Sequence, residues 1–176
     1  MLAPLSQSSG SQQGFTLRPL APTDEAWLRE LYASTRSAEM AAVPWPDAAK
    51  RSFLDQQFAL QRAHFEQHYS EASFLAILAP ETHSPIGRYY VLESGSEHLV
   101  VDIALFPRWQ NQGIGSTLIR QSQTRAADSG AAMGLHVLKH NPSALRLYQR
   151  LGFVVVSDEG MHWRMRWRPS TASQAG

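Results

Sequence analysis

The chain has 176 residues, 43% of them hydrophobic, with a formal charge of +1 and no cysteine. That is the length of one ordinary domain with a real core. It excludes disulfide staples, thiolate catalysis and cysteine-based zinc sites, and a charge so near zero gives no strong field toward nucleic acid or an anionic membrane.

The opening MLAPLSQSSGSQQG lacks a basic region and a long apolar run. It reads as a disordered tail (1–14), as does the end, 169–176, leaving a single domain at 15–168 and a cytoplasmic protein. No run approaches the roughly 18 apolar residues of a membrane span. Phe15 to Leu20 alternates as a first strand, and Thr23 or Asp24 can cap a helix to about Thr35. Ala41 to Asp47 is a loop, because Pro44 and Pro46 bracket Trp45. Asp47 can cap a second helix to about Tyr69, with Leu54, Phe58 and Phe65 as its apolar stripe. Ser73 to Leu78 and Ile86 to Leu92 read as strands. His98 to Phe106 is an apolar run, expected to be a strand buried on both faces. A helix follows Gly113 and closes at Gly130. Met133 to Leu138 is a strand, and Asn141 with Pro142 opens a helix that ends at Gly152. Phe153 to Val156 is a further strand. From Met161 the pattern alternates, with Arg164, Arg166 and Arg168 on one side, as if guarding the edge of a terminal strand. The order β-α-α-β-β-β-α-β-α-β-β predicts a mixed α/β sheet.

The stretch WQNQGIGSTLIR, Trp109 to Arg120, puts two glycines at the start of a helix. Backbone N–H groups there have no internal partner, the helix dipole adds positive charge, and glycines let a diphosphate come close. The dinucleotide fingerprint fails, since Leu118 holds the place of its third glycine, and no lysine follows to make an ATP loop. The glycines alone leave a ligand-free turn equally open.

Gln110 to Gly115 (QNQGIG) resembles the [Q/R]-x-x-G-x-[G/A] signature of the GNAT superfamily of acetyl-CoA-dependent N-acetyltransferases. The preceding IALFP is similar to that family's lead-in. Asn141, Ala144, Leu147, Tyr148, Gly152 and Phe153 match its N-x-x-A-x-x-L-Y-x-x-x-G-F pattern. The resemblance implies a GNAT fold: a mostly antiparallel mixed sheet, fourth and fifth strands splayed, flanked by about four helices. It implies acetyl transfer from acetyl-CoA to a primary amine by direct attack in a ternary complex. Gln110, Asn111, Gln112, Gly113, Ile114, Gly115 and Ser116 would hold the diphosphate. Backbone groups of Ile103, Ala104 and Leu105 would hold the pantetheine arm, and Asn141 would add a cofactor contact. Tyr148 matches the acid that protonates the departing thiolate.

The base is less plainly marked. His136 stands where some relatives carry a glutamate, and histidine titrates in the right range; otherwise it is a satisfied strand histidine. Asp102 is read as the lone carboxylate of an apolar strand, where an acid needs either a partner or a chemical role. It could bind the substrate ammonium, take its proton, or hold a strand-end hydrogen bond. Trp45 could wall the acceptor pocket or simply pack. Glu39, Asp47 and Glu93 would form a weakly acidic rim, which favours a small amine over a polyamine, with a peptide acceptor also open. No metal is expected, since His64 and His68 flank Glu66 in the wrong order for a zinc helix. Neither nucleic acid nor membrane is expected, and the chain would be a monomer or homodimer. The competing reading is a non-catalytic acyl-CoA-binding or regulatory module on the same fold.

Overall fold

Alternation and helical periodicity place most elements where they form. The computed structural model describes residues 14–170. The tails expected at 1–14 and 169–176 therefore lie almost wholly outside the described residues. Strand β1 (Thr16–Pro19) leads through a 3-10 turn (Pro22–Asp24) into α1 (Glu25–Thr35), a short α2 (Ser37–Ala41) and the long α3 (Asp47–His68). Next come β2 (Ser73–Leu78), β3 (Pro85–Leu92) and β4 (Glu97–Leu105), then α4 (Ile114–Asp128), β5 (Ala132–Leu138), α5 (Pro142–Arg150), β6 (Val154–Glu159) and β7 (His162–Trp167). Among the described residues, no helix is long and apolar enough to cross a membrane.

The strands form one sheet in the order β1-β2-β3-β4-β5-β7-β6. Neighbours are antiparallel except β4 and β5, which run parallel and are joined by α4 as crossover. The main core lies on the α4 side of the sheet. There Val91, Val100, Leu118, Ile119, Met133, Leu135 and Met165 pack together, and the buried Tyr89 hydroxyl meets Ser122 of α4 at 2.7 Å. On the opposite face, Leu28 and Tyr32 of α1 pack with Leu54 and Phe58 of α3. The Phe65 ring of α3 meets Tyr90 of β3 edge-on at 5.5 Å.

Three expectations change. Asp24 holds the N-cap position of α1 as expected, but its side chain makes no capping bond there. Asp24 accepts from both terminal nitrogens of Arg18, from the Trp27 indole and from the Ala21 N–H, each at 2.7 Å, and so ties β1 to the start of α1. Pro46 takes the cap position of α3, and Asp47 is its first helical residue, where an acid suits the dipole.

The arginines of the last strand do not guard an edge. β7 lies inside the sheet between β5 and β6, and β6 is the edge. Arg164 and Arg166 both pair with Glu97 of β4, Arg166 through Nε at 2.6 Å, reaching across the β5 backbone. Gly134 makes that possible: a Cβ there would run into the Arg164 guanidinium and the Glu97 carboxylate.

Nor is β4 buried on both faces along its length. Val100 is buried, but Val101 to Leu105 are half-buried. The cause is the pairing. β4 meets β5 only from Glu97–Val100 against Ala132–Leu135. Beyond that, β4 stays with β3 and β5 stays with β7, and a fork opens between them.

Candidate active site

At the outer end of the fork, the chain leaves β4 and turns into α4. Asn111 and Gly113 take left-handed backbone, φ 59° and 82°. Gly113 is the N-cap of α4, and the first helical bond runs from Thr117 N–H to its carbonyl. The N–H groups of Asn111 through Ser116 find no acceptor among the described residues. Such a curl of unpartnered amides at a helix start is an anion cradle. No acidic residue stands between Pro107 and Arg120 to oppose an anion. The two glycines have separate reasons. Gly113 needs its positive φ. Gly115 does not, and a Cβ there would meet only the Ile103 side chain at 3.7 Å, an ordinary contact. The glutamine side chains brace the loop from within: Gln110 donates to the Leu105 carbonyl at 3.0 Å and Gln112 to that of Arg108 at 2.6 Å.

Inside the fork, the ladder fixes which backbone groups are free. Phe106 N–H donates to Ile86. Ala104 shares that phase and spends its groups on β3, so those of Ile103 and Leu105 point toward the gap, where Gln110 already occupies the Leu105 carbonyl and leaves its N–H. This gap, lined by free backbone on one strand and closed by an anion cradle, fits a pantetheine arm and the diphosphate of coenzyme A. Asn141 caps α5 through Oδ1, which accepts from Ala144 N–H at 3.1 Å, leaving its amide hydrogens for a ligand.

Tyr148 of α5 has a buried ring set against Phe153, with centroids 6.0 Å apart. Its hydroxyl makes no hydrogen bond among the described residues. Burial holds that hydroxyl protonated far above the usual phenol range, with further pushes from Asp102 and Tyr89.

Asp102 is not alone. Its Oδ2 accepts from Arg88 Nε at 2.7 Å, and Arg88 also donates to Gln61 of α3 at 2.7 Å. Burial works against the Arg88 charge, but Asp102 and Tyr90 beside it together outweigh that, and its pKa is raised. A bulge creates the pairing. Tyr90 sits opposite Asp102 and Val91 opposite Val100, so Val101 is the extra residue. It shifts the phase and turns Asp102 away from the α4 side toward Arg88 and Tyr90. Oδ1 of Asp102 has no donor among the described residues.

His136 lies on β5 just past the last pair with β4 and faces the same side as Asp102. Its Nε2 lies 2.9 Å from Glu159 Oε2 of β6. Trp45 is half-exposed and packs edge-on to Phe53, 5.6 Å away. Phe53 lies two turns, roughly 12 Å, along α3 from Gln61, the residue that Arg88 links to Asp102. The acidic rim does not assemble. Glu39 binds Arg36, and Glu93 binds Arg125 at the far end of α4. Arg88, Gln61 and Glu159 were missed from sequence. Arg88 carried a signal: it is the one charge in the strand next to that of the acid.

No curated protein sequence matches the chain. Among solved structures, a PaiA N-acetyltransferase from Thermoplasma acidophilum, in complex with coenzyme A, is 18% identical with a TM-score of 0.66. That match covers 89% of this chain and 100% of the other. A spermidine N-acetyltransferase from Vibrio cholerae, in complex with CoA and spermine, is 20% identical with a TM-score of 0.60, over 89% and 96% of the two chains. At these identities the likeness is one of fold. Residues 26–153 match the acetyltransferase (GNAT) family. With its forked sheet, its amide cradle and most of its length inside that match, the chain belongs to the GNAT family, the acetyl-CoA-dependent N-acetyltransferases.

Proposed function

We propose that the chain acetylates the primary amine of a small molecule by direct attack within a ternary complex, and that the fork is where this happens. The observation that carries the reading is the pairing of functions at the fork. Asp102, fixed by Arg88, stands on one side, and the unpartnered Tyr148 hydroxyl on the other feels its charge. When bound, acetyl-CoA supplies an acetyl thioester whose carbon takes the amine nitrogen as the C–S bond breaks.

The chain's own residues divide the remaining work. The backbone amides from Asn111 to Ser116 hold the diphosphate, and the groups of Ile103 and Leu105 hold the arm. The Leu105 N–H faces the carbonyl oxygen, a donor worth about 3 kcal/mol when preorganised. Asp102 Oδ1 receives the acceptor's ammonium, and the ion pair with Arg88 keeps that carboxylate aimed. His136, its Nε2 tethered to Glu159, takes the amine proton at Nδ1. An ammonium sheds two protons on becoming an amide: the first goes to solvent before attack and the second to His136, while Tyr148 gives its hydroxyl proton to the sulfur. Asn141 contributes an amide N–H to the cofactor. A non-catalytic acyl-CoA-binding module would have no use for a tyrosine hydroxyl left without a partner.

Calorimetric titration with acetyl-CoA, followed by thiol release across an amine panel, tests this reading. Binding with amine-dependent release supports it. Binding without release for any amine would leave only the module.

A further inference from the structure

On the α3 face of the sheet, a cavity of about 290 Å³ lies between α1, α3, β2, β3 and the turn that leads from β1 into α1. Leu28, Phe58, Phe65, Phe74 and Tyr90 give it an apolar and aromatic wall, and Glu25, Arg62 and Glu66 line it as well. Arg88 stands where it ends, and the same guanidinium binds Asp102 at 2.7 Å. The cavity and the fork are therefore separated by one side chain.

The charged groups around the cavity are spent on one another. Arg62 binds Glu25 at 2.7 Å and Glu66 at 2.8 Å, and Glu25 also binds Arg29 at 2.7 Å. No uncommitted carboxylate is left to receive a second ammonium along a polycation. What remains is aromatic: Tyr90 meets Phe74 at 4.7 Å and Phe65 at 5.5 Å, both edge-on. A benzene ring fits a cavity of about 150 Å³, so this one takes a ring with its spacer. Distance agrees. Phe74 pairs with Tyr90, and Tyr90 with Asp102, so the far wall lies two strands from the carboxylate. At about 4.8 Å per strand that is roughly 10 Å, the reach from nitrogen to the ring of an arylalkylamine with a short spacer.

We infer that this cavity is the acceptor's body pocket and that the acceptor is an arylalkylamine, its amine on Asp102 and its ring between α1 and α3. The inference rests on the proposed function, and only the pocket is new. The acceptor class follows from an apolar, charge-balanced cavity joined to the reacting end through Arg88.

The test uses the full chain, with 2-phenylethylamine, 4-phenylbutylamine, ethanolamine and spermidine as acceptors. Two variants fill the cavity from different sides: Leu28→Trp within it and Ala21→Phe at its exposed mouth, where a larger side chain leaves the core alone. Coenzyme A titration on each variant checks that the fork is intact. The wild type should prefer the aryl amines to spermidine. In Ala21→Phe the ratio of kcat/KM for 4-phenylbutylamine over ethanolamine should fall roughly tenfold or more. An unchanged ratio in a variant that still binds coenzyme A overturns the pocket while leaving the acetyltransferase reading intact, and so does a preference for spermidine. If no amine is acetylated, the proposed function fails separately. Calorimetry of 4-phenylbutylamine with coenzyme A present then decides the pocket: weaker binding in Ala21→Phe supports it, and no binding to the wild type overturns it.

Discussion

Gly115→Ala separates a glycine kept for a ligand from one kept for the fold. Position 115 lies in the first turn of α4, its backbone is not left-handed, and an added methyl would touch only Ile103 at 3.7 Å. Alanine in a helix is favoured over glycine by about 0.5–1 kcal/mol. For a protein of this length that raises Tm by about 1–4 °C. The cofactor should respond in the opposite sense. The methyl stands among amides that find no acceptor within the protein. Displacing the diphosphate from one of them forfeits a hydrogen bond to a charged group, about 1.5–3 kcal/mol, or roughly 10–100-fold in Kd. Gly113→Ala is the control: φ is 82° there, so alanine should cost about 1–2 kcal/mol of stability. The assay is thermal melting beside acetyl-CoA calorimetry. A Gly115→Ala protein that melts higher and binds acetyl-CoA as before would refute the cradle.

Three further outcomes follow from the same geometry. Tyr148→Phe should lower kcat by about a hundredfold or more while acetyl-CoA affinity holds; a kcat within threefold of wild type would remove the acid role. Asp24→Asn should cost about 1–3 kcal/mol at neutral pH, because it takes the charge from a buried carboxylate that Arg18, itself partly exposed, and two further donors share. Arg18 first, then the Trp27 and Ala21 donors, hold the Asp24 carboxyl well below the usual range. A depressed pKa stabilises above the unfolded value near 3.8 and loses that stabilisation as pH falls through the folded one. The gap in urea midpoints between wild type and variant should thus narrow below about pH 4, and a gap independent of pH would contradict the pairing. Gly134→Ala should destabilise by about 1–3 kcal/mol, because a methyl pushes the Arg164–Glu97 pair off the strand; an unchanged Tm would mean the pair is not seated there.

What the chain revealed from its letters was what neighbours along the chain decide. The Asn141 cap, the closing Gly130 and Gly152, and the glycine turn before α4 are local events, and each formed where expected. Asp102 could be singled out, but not its direction. That depends on the bulge at Val101, which is a property of two strands at once. Its partner Arg88 comes from 14 residues away, so no spacing rule finds it. The arginines of β7 misled for the same reason. The alternation Arg164, Arg166, Arg168 marks one side of a strand, but only the whole sheet tells whether that strand is at the rim. His136 could be singled out by its place in the pattern, yet Glu159, which tethers it, arrives from another hairpin.

The fork also makes this sheet two plates rather than one. β1 through β4 form the first and β5, β7 and β6 the second, and only four residue pairs join them, at one end. Glu97, held by Arg164 and Arg166 over Gly134, rivets that joint from the outside. The amides of Ile103 and Leu105 face water across the gap as strand-edge amides do. A pantetheine arm lying between the plates would act as the missing strand, so filling the fork is in effect the last step of folding. Hydrogen exchange would record it: these interior amides trade their protons quickly in the empty protein and slowly once the two plates share an occupant.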